Sequence, residues 1–394
     1  MKKIFLFISI FILLFLVNAC DDTPSEVGIS VIPVTDEINY KTLETDSIPY
    51  TTEIIQKTVI KSGQEYLLVG KSGNEEAITL LKFTGFPDTL ASATVIKADL
   101  VLHPTNYSLG EESTFGFTVH KITSTWSVTS PGNAMVTGPL YDNASVGTYS
   151  GAFSDTSAIY VPINTSLVKD WLYYASDATK YNLNQGIVLT PSANSNCVWA
   201  FYSSDNTTYS DNSKDPYLRV IKELNGKRDT IYVYPSEDTY YGYSRNFSLD
   251  QKNIVMQSGI SYRTKIKLDL SRIPKHVHIT SAILTLTLDP DDSKIGKNSI
   301  DSLAALANIY NSDGVLLQSF NVIGTPIIDN GKKVYNFNIT LFVQGWIDKW
   351  INSGMEIFHL GELYSLDRYS FYSKNVVDPN KKPKIKITYL NLPY

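Results

Sequence analysis

The chain has 394 residues, more than one typical domain holds and enough for about two or three that each bury a core. Tyrosine (26), phenylalanine (16) and tryptophan (5) are abundant and methionine (4) is scarce, a balance typical of pleated sheets rather than helices. The net charge of −5 comes without a dense basic stripe, which argues against a nucleic-acid-binding protein.

Residues 1–20 have the pattern of a lipoprotein signal peptide. A short basic start precedes an apolar run from Ile4 to Val17, which is too short for a comfortable membrane span. The run ends in the segment VNAC, which resembles the lipobox of bacterial lipoproteins. That resemblance implies that Cys20 becomes the lipidated first residue, held stably because more than one acyl chain inserts. An ordinary secretory signal with an unrelated cysteine is the alternative.

Residues 21–50 are polar and contain several prolines, which predicts an extended tether. The tether begins with Asp21 and Asp22, and this acidic pair resembles the export signal of surface lipoproteins in Bacteroidetes-type bacteria. We therefore expect a protein that is attached to the outer membrane through the lipid on Cys20 and faces the cell exterior. Cys197 then remains as the other cysteine, so we expect no intrachain disulfide and a buried, apolar role for this residue.

Four blocks of sequence occur twice in the same order. The first block is TLLKF followed by ATVIKADLVLHP in the first copy and TKIKLDL followed by HITSAILTLTLDP in the second. The second block is INTSLVKDW in the first copy and ITLFVQGW in the second. The third is FYS at 201–203 and 371–373, and the fourth is DPYLRVI at 215–221 and KPKIKIT at 382–388. Apolar and polar residues alternate in most blocks, as in half-buried strands, and each tryptophan leads into a short amphipathic segment.

The repeat predicts an all-β protein. We expect two tandem antiparallel β-sandwich domains, residues 51–223 and 228–394, each jelly-roll-like with one short helix. The polar turn LNGKRD joins them. Because the FYS triplet precedes the last strand of both copies, we interpret it as architectural.

The order of the blocks resembles the DNRLRE domain family, and the likeness covers most of both copies. It implies jelly-roll modules of secreted and surface proteins, some of which are similar to carbohydrate-binding modules. The segment TSTWS at 123–127 belongs to this pattern in the first copy, whereas the second copy has ANIYNSDG instead. A binding site can therefore survive in one copy alone.

Aromatic side chains in loops are the candidate ligand-binding residues. Sugars present apolar C–H faces that stack on flat rings and hydroxyls that form hydrogen bonds. The candidates are Trp126 in TSTWS and Tyr240, Tyr241 and Tyr243 in DTYYGYSRN. For each ring the alternative is a place in the core.

Two groups of residues could hold a metal ion. Asp289, Asp291 and Asp292 in DPDDS gather carboxylate oxygens in a loop, as a structural calcium ion requires, although solvated turn residues have the same pattern. His276 and His278 would share one face of a strand, but no third ligand is near in sequence.

The sequence contains no nucleophile elbow, HExxH, P-loop or dinucleotide-binding fingerprint. We predict a non-catalytic surface lipoprotein that binds extracellular glycan through loop aromatics, without a cofactor. The first alternative is a structural or adhesive cell-envelope protein with a protein partner. The second is a polysaccharide lyase or hydrolase whose catalytic residues come together only in space.

Overall fold

The computed structural model of the chain describes residues 40–44, 48–57, 63–128, 140–152, 157–209, 211–244, 253–311, 313–348 and 350–391. The predicted signal peptide, Cys20 and the first part of the tether lie outside these residues. In the described part the fold is all-β, its sheets are antiparallel and it has two short α-helices, which confirms the predicted all-β class. No helix in this part is both long and apolar enough to cross a membrane.

The strands and helices alternate with short loops along the chain. In chain order the strands are β1 (Tyr40–Leu43), β2 (Tyr50–Gln56), β3 (Tyr66–Ser72), β4 (Glu75–Lys82), β5 (Thr94–Leu102), β6 (Pro104–Gly110), β7 (Gly116–Ile122), β8 (Tyr141–Ser150), β9 (Ile159–Pro162), β10 (Ile187–Pro191), β11 (Cys197–Tyr202), β12 (Tyr217–Leu224), β13 (Lys227–Val233), β14 (Glu237–Ser244), β15 (Asn253–Gln257), β16 (Tyr262–Leu268), β17 (Val277–Thr287), β18 (Leu303–Tyr310), β19 (Leu316–Asp329), β20 (Lys332–Asn338), β21 (Met355–His359), β22 (Arg368–Tyr372) and β23 (Lys384–Asn391). The α-helices are α1 (Thr165–Ala175) and α2 (Thr340–Asp348).

The first sandwich packs two sheets around a hydrophobic core whose residues lie between Leu67 and Val233. The larger sheet has the order β6-β11-β3-β4-β10-β7-β8, with β14 added to β4, and the smaller sheet has the order β13-β12-β5-β9. Alternation explains the layering, since β12 buries Leu218 and Val220 in the core and turns Arg219 to the other face.

The second sandwich has its own core, formed by Ile48 and by residues between Ile254 and Tyr389. Its strands form one path, β1-β23-β17-β20-β19-β18-β21-β16-β15-β22, with β2 added to β16. The path can form two layers because the long strand β19 pairs with β18 through residues 316–324 and with β20 through residues 325–329.

The two sandwiches exchange strands across the predicted domain ranges. Residues 51–56, which were assigned to the first domain, lie in β2 and pair with β16 of the second sandwich. Residues 228–244, which were assigned to the second domain, contribute to β13 and β14 and pair with β12 and β4 of the first. Residues 40–43 of the predicted tether form β1, which pairs with β23. Because β4 and β16 are copies of one block, the exchanged strands β14 and β2 pair with corresponding strands of the two sandwiches.

Both sandwiches have the same Asn-x-Gly turn before a strand, which the sequence repeat predicts only partly. Asn184 and Asn352 each accept a hydrogen bond from the glycine two residues later, at 3.1 and 3.2 Å. Gly186 and Gly354 adopt φ of 82° and 84° and approach the carbonyls of Leu81 and Ile266, where a side chain would be strained. The two glycines therefore start β10 and β21 in the same way.

The helices also correspond, but they begin earlier than the sequence predicted. They start at Thr165 and Thr340, so Trp171 and Trp346 lie inside the helices rather than at their starts, and both rings are buried. The FYS triplet is architectural as predicted, since Phe201 and Phe371 are fully buried in the two cores.

Candidate functional site

The aromatic residues predicted to bind ligand do not form an exposed platform. Tyr240, Tyr241 and Tyr243 lie in the strand β14 rather than in a loop. Tyr240 is fully buried and donates a hydrogen bond to the carbonyl of Leu363 at 2.8 Å. Tyr241 is 9% exposed, and the half-buried Tyr243 donates a hydrogen bond to Glu76.

Trp126 covers the outer face of the larger sheet in the first sandwich. Its ring is 6% exposed, packs in a cluster with Ile78 and Tyr241, and its Nε1 donates to the carbonyl of Gln185 at 2.8 Å. The structure therefore brings Trp126 and two of the predicted tyrosines together, but as a packed cover rather than as a sugar site.

The corresponding face of the second sandwich carries charged residues where the first carries this apolar cluster. The strand register sets Arg263 at the position of Ile78, and Glu356 at that of Val188. Arg263 pairs with Glu362 at 2.6 Å and with Glu356 at 3.3 Å. These paired side chains are at most 15% exposed, so the charges are neutralised within the fold rather than by solvent.

Two of the three carboxylates of the predicted calcium site, those of Asp289 and Asp292, accept hydrogen bonds from protein donors. Asp292 accepts hydrogen bonds from Ser370 at 2.7 Å and from the guanidinium of Arg368 at 3.1 Å. Asn253 donates to both Asp289 and Asp292 at 3.3 Å, and Asp289 accepts the backbone N–H of Asp291. Burial opposes ionisation of Asp292, yet the hydrogen bond from Ser370 and the charge of Arg368 hold its pKa below the usual value. Arg368 thus supplies the positive charge that a cation would bring.

The predicted histidine pair is not arranged as ligands. His276 lies before β17 in a left-handed conformation, with φ of 62°, so it does not share a strand face with His278. In the part of the chain that the structure covers, no group of three or more His, Cys, Asp or Glu residues could hold a metal ion. Cys197 is fully buried as expected, and burial raises the pKa of its thiol to about 12.

A different set of tyrosines is exposed together on the smaller sheet of the first sandwich. We call the outer surface of β13-β12-β5-β9 the tyrosine face; it carries Tyr160, Tyr217, Arg219, Tyr232 and Tyr234. Tyr160, Tyr232 and Tyr234 are 48%, 58% and 45% exposed, whereas Tyr217 is half-buried between its neighbours. These rings are large apolar surfaces that the fold leaves open to solvent.

Strand register arranges the side chains of the tyrosine face in two rows. In one row Tyr217 of β12 lies opposite Val101 of β5, which lies opposite Tyr160 of β9. Tyr234 extends this row beyond Tyr217, because it directly follows Val233, the partner of Leu218. Adjacent strands are about 4.8 Å apart, so the row from Tyr234 to Tyr160 spans roughly 14 Å.

The second row places polar groups beside the rings. It consists of Tyr232, Arg219, Asp99 and Pro162. The ring of Tyr217 contacts those of Tyr232 and Tyr234, with centroids 5.7 and 5.8 Å apart. The face therefore combines apolar rings, phenolic hydroxyls and a guanidinium within one rigid sheet.

Arg219 is held in place at the centre of the tyrosine face. Its Nη2 donates to Asp99 at 2.6 Å, and its guanidinium lies 4.8 Å from the ring centre of Tyr160. Asp99 is buried and also pairs with the exposed Lys97 at 3.2 Å. The hydrogen bond from Arg219 to Asp99 raises the pKa of Arg219 further. Among the described residues, Nε of Arg219 has no hydrogen-bond partner.

The second sandwich lacks this surface, although its core matches. Leu218 and Val220 correspond to Ile385 and Ile387, which are buried in the same way. The outward positions differ, since Tyr217 and Arg219 correspond to Lys384 and Lys386, and the strand register sets Asn336 where Tyr160 lies. The tyrosine face is thus specific to the first copy.

The sequence contains a signal for this face that reasoning from loops missed. In β12 and β13, Tyr217 and Tyr232 alternate with the buried residues Leu218 and Val233. A tyrosine on the polar side of an alternating strand predicts an exposed ring when no further layer covers that side.

Comparisons with known proteins add little. No family model and no curated protein match the sequence. Among solved structures, the chain was compared with one described as "BspA_C_mut", at 9% identity over 88% of this chain and 91% of that chain. The TM-score of 0.15 is too low for this likeness to carry an argument about fold or function.

Proposed function

We propose that the protein is a non-catalytic lipoprotein that binds extracellular polysaccharide through the tyrosine face. In this proposal the lipid on Cys20 attaches it to the outer membrane, facing the cell exterior. One observation carries the proposal for the ligand. Tyr160, Tyr232 and Tyr234 are each close to half exposed and lie on one face of the same sheet, which also carries Arg219.

The chemistry of the tyrosine face suits a sugar polymer. Pyranose rings have apolar C–H surfaces that stack on aromatic rings, while their hydroxyls accept and donate hydrogen bonds. Tyrosine gives large contact area at a low conformational-entropy cost. The guanidinium of Arg219, fixed by Asp99, adds N–H donors at a defined place.

The divergence of the two copies supports a role for the face beyond folding. If the tyrosines served only to stabilise the sandwich, the second copy would have reason to keep them. Instead it keeps the core residues Ile385 and Ile387 and carries Lys384 and Lys386 on the outside.

A structural or adhesive protein is the second candidate. Tyrosine and arginine are also the residues most enriched at the centres of protein–protein interfaces, so the tyrosine face would suit a protein partner. The two candidate functions differ in the ligand of the tyrosine face, which is a polysaccharide in the first and a protein in the second.

Retention on immobilised polymers tests the proposal. The protein lacking residues 1–20 would be applied to a panel of neutral and acidic polysaccharides, beside the double variant Tyr232→Ala/Tyr234→Ala. We expect at least one polymer to retain the protein, and the double variant to elute earlier. Failure of every polymer, together with recovery of one stoichiometric protein from cell envelopes, would favour the adhesive function instead.

A further inference from the structure

Another series of tyrosines, separate from the tyrosine face, crosses the boundary between the sandwiches. The rings of Tyr209, Tyr202, Tyr66 and Tyr364 form a series whose successive centroids are 5.3, 5.7 and 5.4 Å apart. All four side chains are half-buried, so each keeps part of its surface open to solvent. We call these four residues the tyrosine ribbon.

The ribbon is held on rigid elements of both sandwiches. Tyr66 and Tyr202 are direct partners in the strands β3 and β11. Tyr364 comes from the loop between β21 and β22 of the second sandwich. This loop is fixed on the first sandwich because Leu366 is fully buried there and its N–H donates to the hydroxyl of Tyr107 at 2.9 Å.

The ribbon and the tyrosine face meet at one end of the first sandwich. Lys214 lies 5.8 Å from the ring centre of Tyr209 and precedes Tyr217 by three residues. The N–H of Tyr202 donates to the carbonyl of His103 at 3.0 Å, and the ring of His103 lies 6.1 Å from that of Tyr217. His103, at the turn between β5 and β6, and Lys214 therefore lie between the ribbon on the larger sheet and the tyrosine face on the smaller sheet.

We infer that the tyrosine face and the tyrosine ribbon form one extended site, which takes a long polysaccharide chain. This inference rests on the proposed function, since it names the length and form of the same ligand. A short oligosaccharide fills the face alone. A longer one continues past Lys214 onto Tyr209 and reaches Tyr364 of the second sandwich.

The physical basis is effective concentration. Once the face holds one part of a chain, the next sugars are already beside the ribbon, so their stacking is intramolecular. Each added contact then lowers the dissociation rate without a further cost for bringing two molecules together. Affinity should therefore rise with chain length until the ribbon is filled, and then level off.

A chain-length series tests the inference with the polysaccharide that the protein binds. Oligosaccharides of about three units match the roughly 14 Å of the face, and those of about ten units reach the ribbon. For the protein lacking residues 1–20 we expect the longer ligand to bind at least about tenfold more tightly. Tyr209→Ala should remove most of this gain and leave the short ligand unchanged. Tyr232→Ala should weaken both.

Controls keep the outcomes distinct. Tyr181→Ala removes a ring that is 44% exposed and lies outside both surfaces, and should change neither affinity. Tyr209 lies in a surface loop and its ring lies beside Tyr202 and Lys214, both of the first sandwich, so its removal should not separate the sandwiches. Equal affinities for short and long ligands, or a loss of short-ligand binding in Tyr209→Ala, would overturn the extended site alone. Absence of binding at every length would overturn the proposed function.

Discussion

Arg219 and Asp99 are joined by a hydrogen bond of 2.6 Å between adjacent strands of the smaller sheet, and this bond orients the cation of the tyrosine face. Asp99 is 1% exposed, whereas the Arg219 side chain is 29% exposed. The buried carboxylate of Asp99 thus orients the guanidinium of Arg219, which is exposed enough for a ligand to contact.

Replacing Asp99 should separate orientation from charge. In Asp99→Asn, Arg219 loses its ionic partner, so we expect glycan affinity to fall by about three- to tenfold and the free energy of unfolding by about 1–3 kcal/mol. Titration calorimetry and urea unfolding measure the two effects. Lys97→Gln, which alters the exposed partner of the same carboxylate, should change stability by less than about 1 kcal/mol. Unaltered affinity in Asp99→Asn would show that Arg219 does not contact the ligand.

Trp126 should matter for stability and not for binding. Removal of a buried tryptophan leaves a cavity, so Trp126→Ala should lower the free energy of unfolding by about 3–5 kcal/mol. At a temperature where the variant is folded, its glycan affinity should equal that of the parent. Reduced affinity in a protein with a native circular dichroism spectrum would return Trp126 to the binding site.

Asp238 predicts an unusual dependence of stability on pH. Burial raises the pKa of this carboxyl to about 6, although its Oδ2 accepts the N–H of Ser204 at 2.8 Å. Because the folded protein binds the proton more tightly than the unfolded chain, the contribution of Asp238 to stability falls as pH rises from about 4 to 6. It stays low at higher pH.

The variant Asp238→Asn isolates this effect. An amide can keep the hydrogen bond from Ser204 without the cost of a buried charge, so at pH above about 7 the variant should be more stable by about 1–3 kcal/mol. Near pH 4 the two proteins should be equally stable. Thermal unfolding across this range measures the difference, and the exposed Glu223→Gln serves as control. If the stability difference between Asp238→Asn and the parent did not vary with pH, the raised pKa of Asp238 would be contradicted.

The exchanged strands predict where truncation acts. A protein that lacks residues 1–57 loses β1 and β2, and with them Ile48 from the second core. We expect its backbone amides in β16 and β23 to lose protection in hydrogen exchange, while those of β4 and β12 keep it. A protein that lacks residues 1–39 should exchange like the parent. Loss of protection in β4 rather than β16 would mean that β2 belongs to the first sandwich.

The sequence predicts the repeated core well and the pairing of the exchanged strands poorly. Leu218 and Ile385 occupy matching positions in matching blocks, and both are buried as the alternation predicts. The partner of β2 cannot be read in this way. The blocks of β4 and β16 have the same apolar spacing, so local pattern favours neither, and the choice depends on packing across the whole fold.

The tyrosine face could not be predicted from the sequence for a related reason. Tyr241 and Tyr232 both lie on alternating strands, and sequence alone cannot show which side a further layer covers. Trp126 covers Tyr241, while the described residues leave Tyr232 58% exposed. Exposure of a strand face is a property of tertiary packing, and it decided which tyrosines became candidates.

The most direct test of the account is the affinity of a retained polysaccharide for matched tyrosine variants. Titration calorimetry would compare the parent, Tyr160→Ala/Tyr232→Ala, and Tyr173→Ala/Tyr181→Ala, which removes two rings of similar exposure outside the face. Each stacked ring contributes about 0.5–1.5 kcal/mol, so the face variant should bind about 5- to 160-fold more weakly while the control matches the parent. Equal affinity for all three proteins would contradict the claim that the tyrosine face binds the polymer.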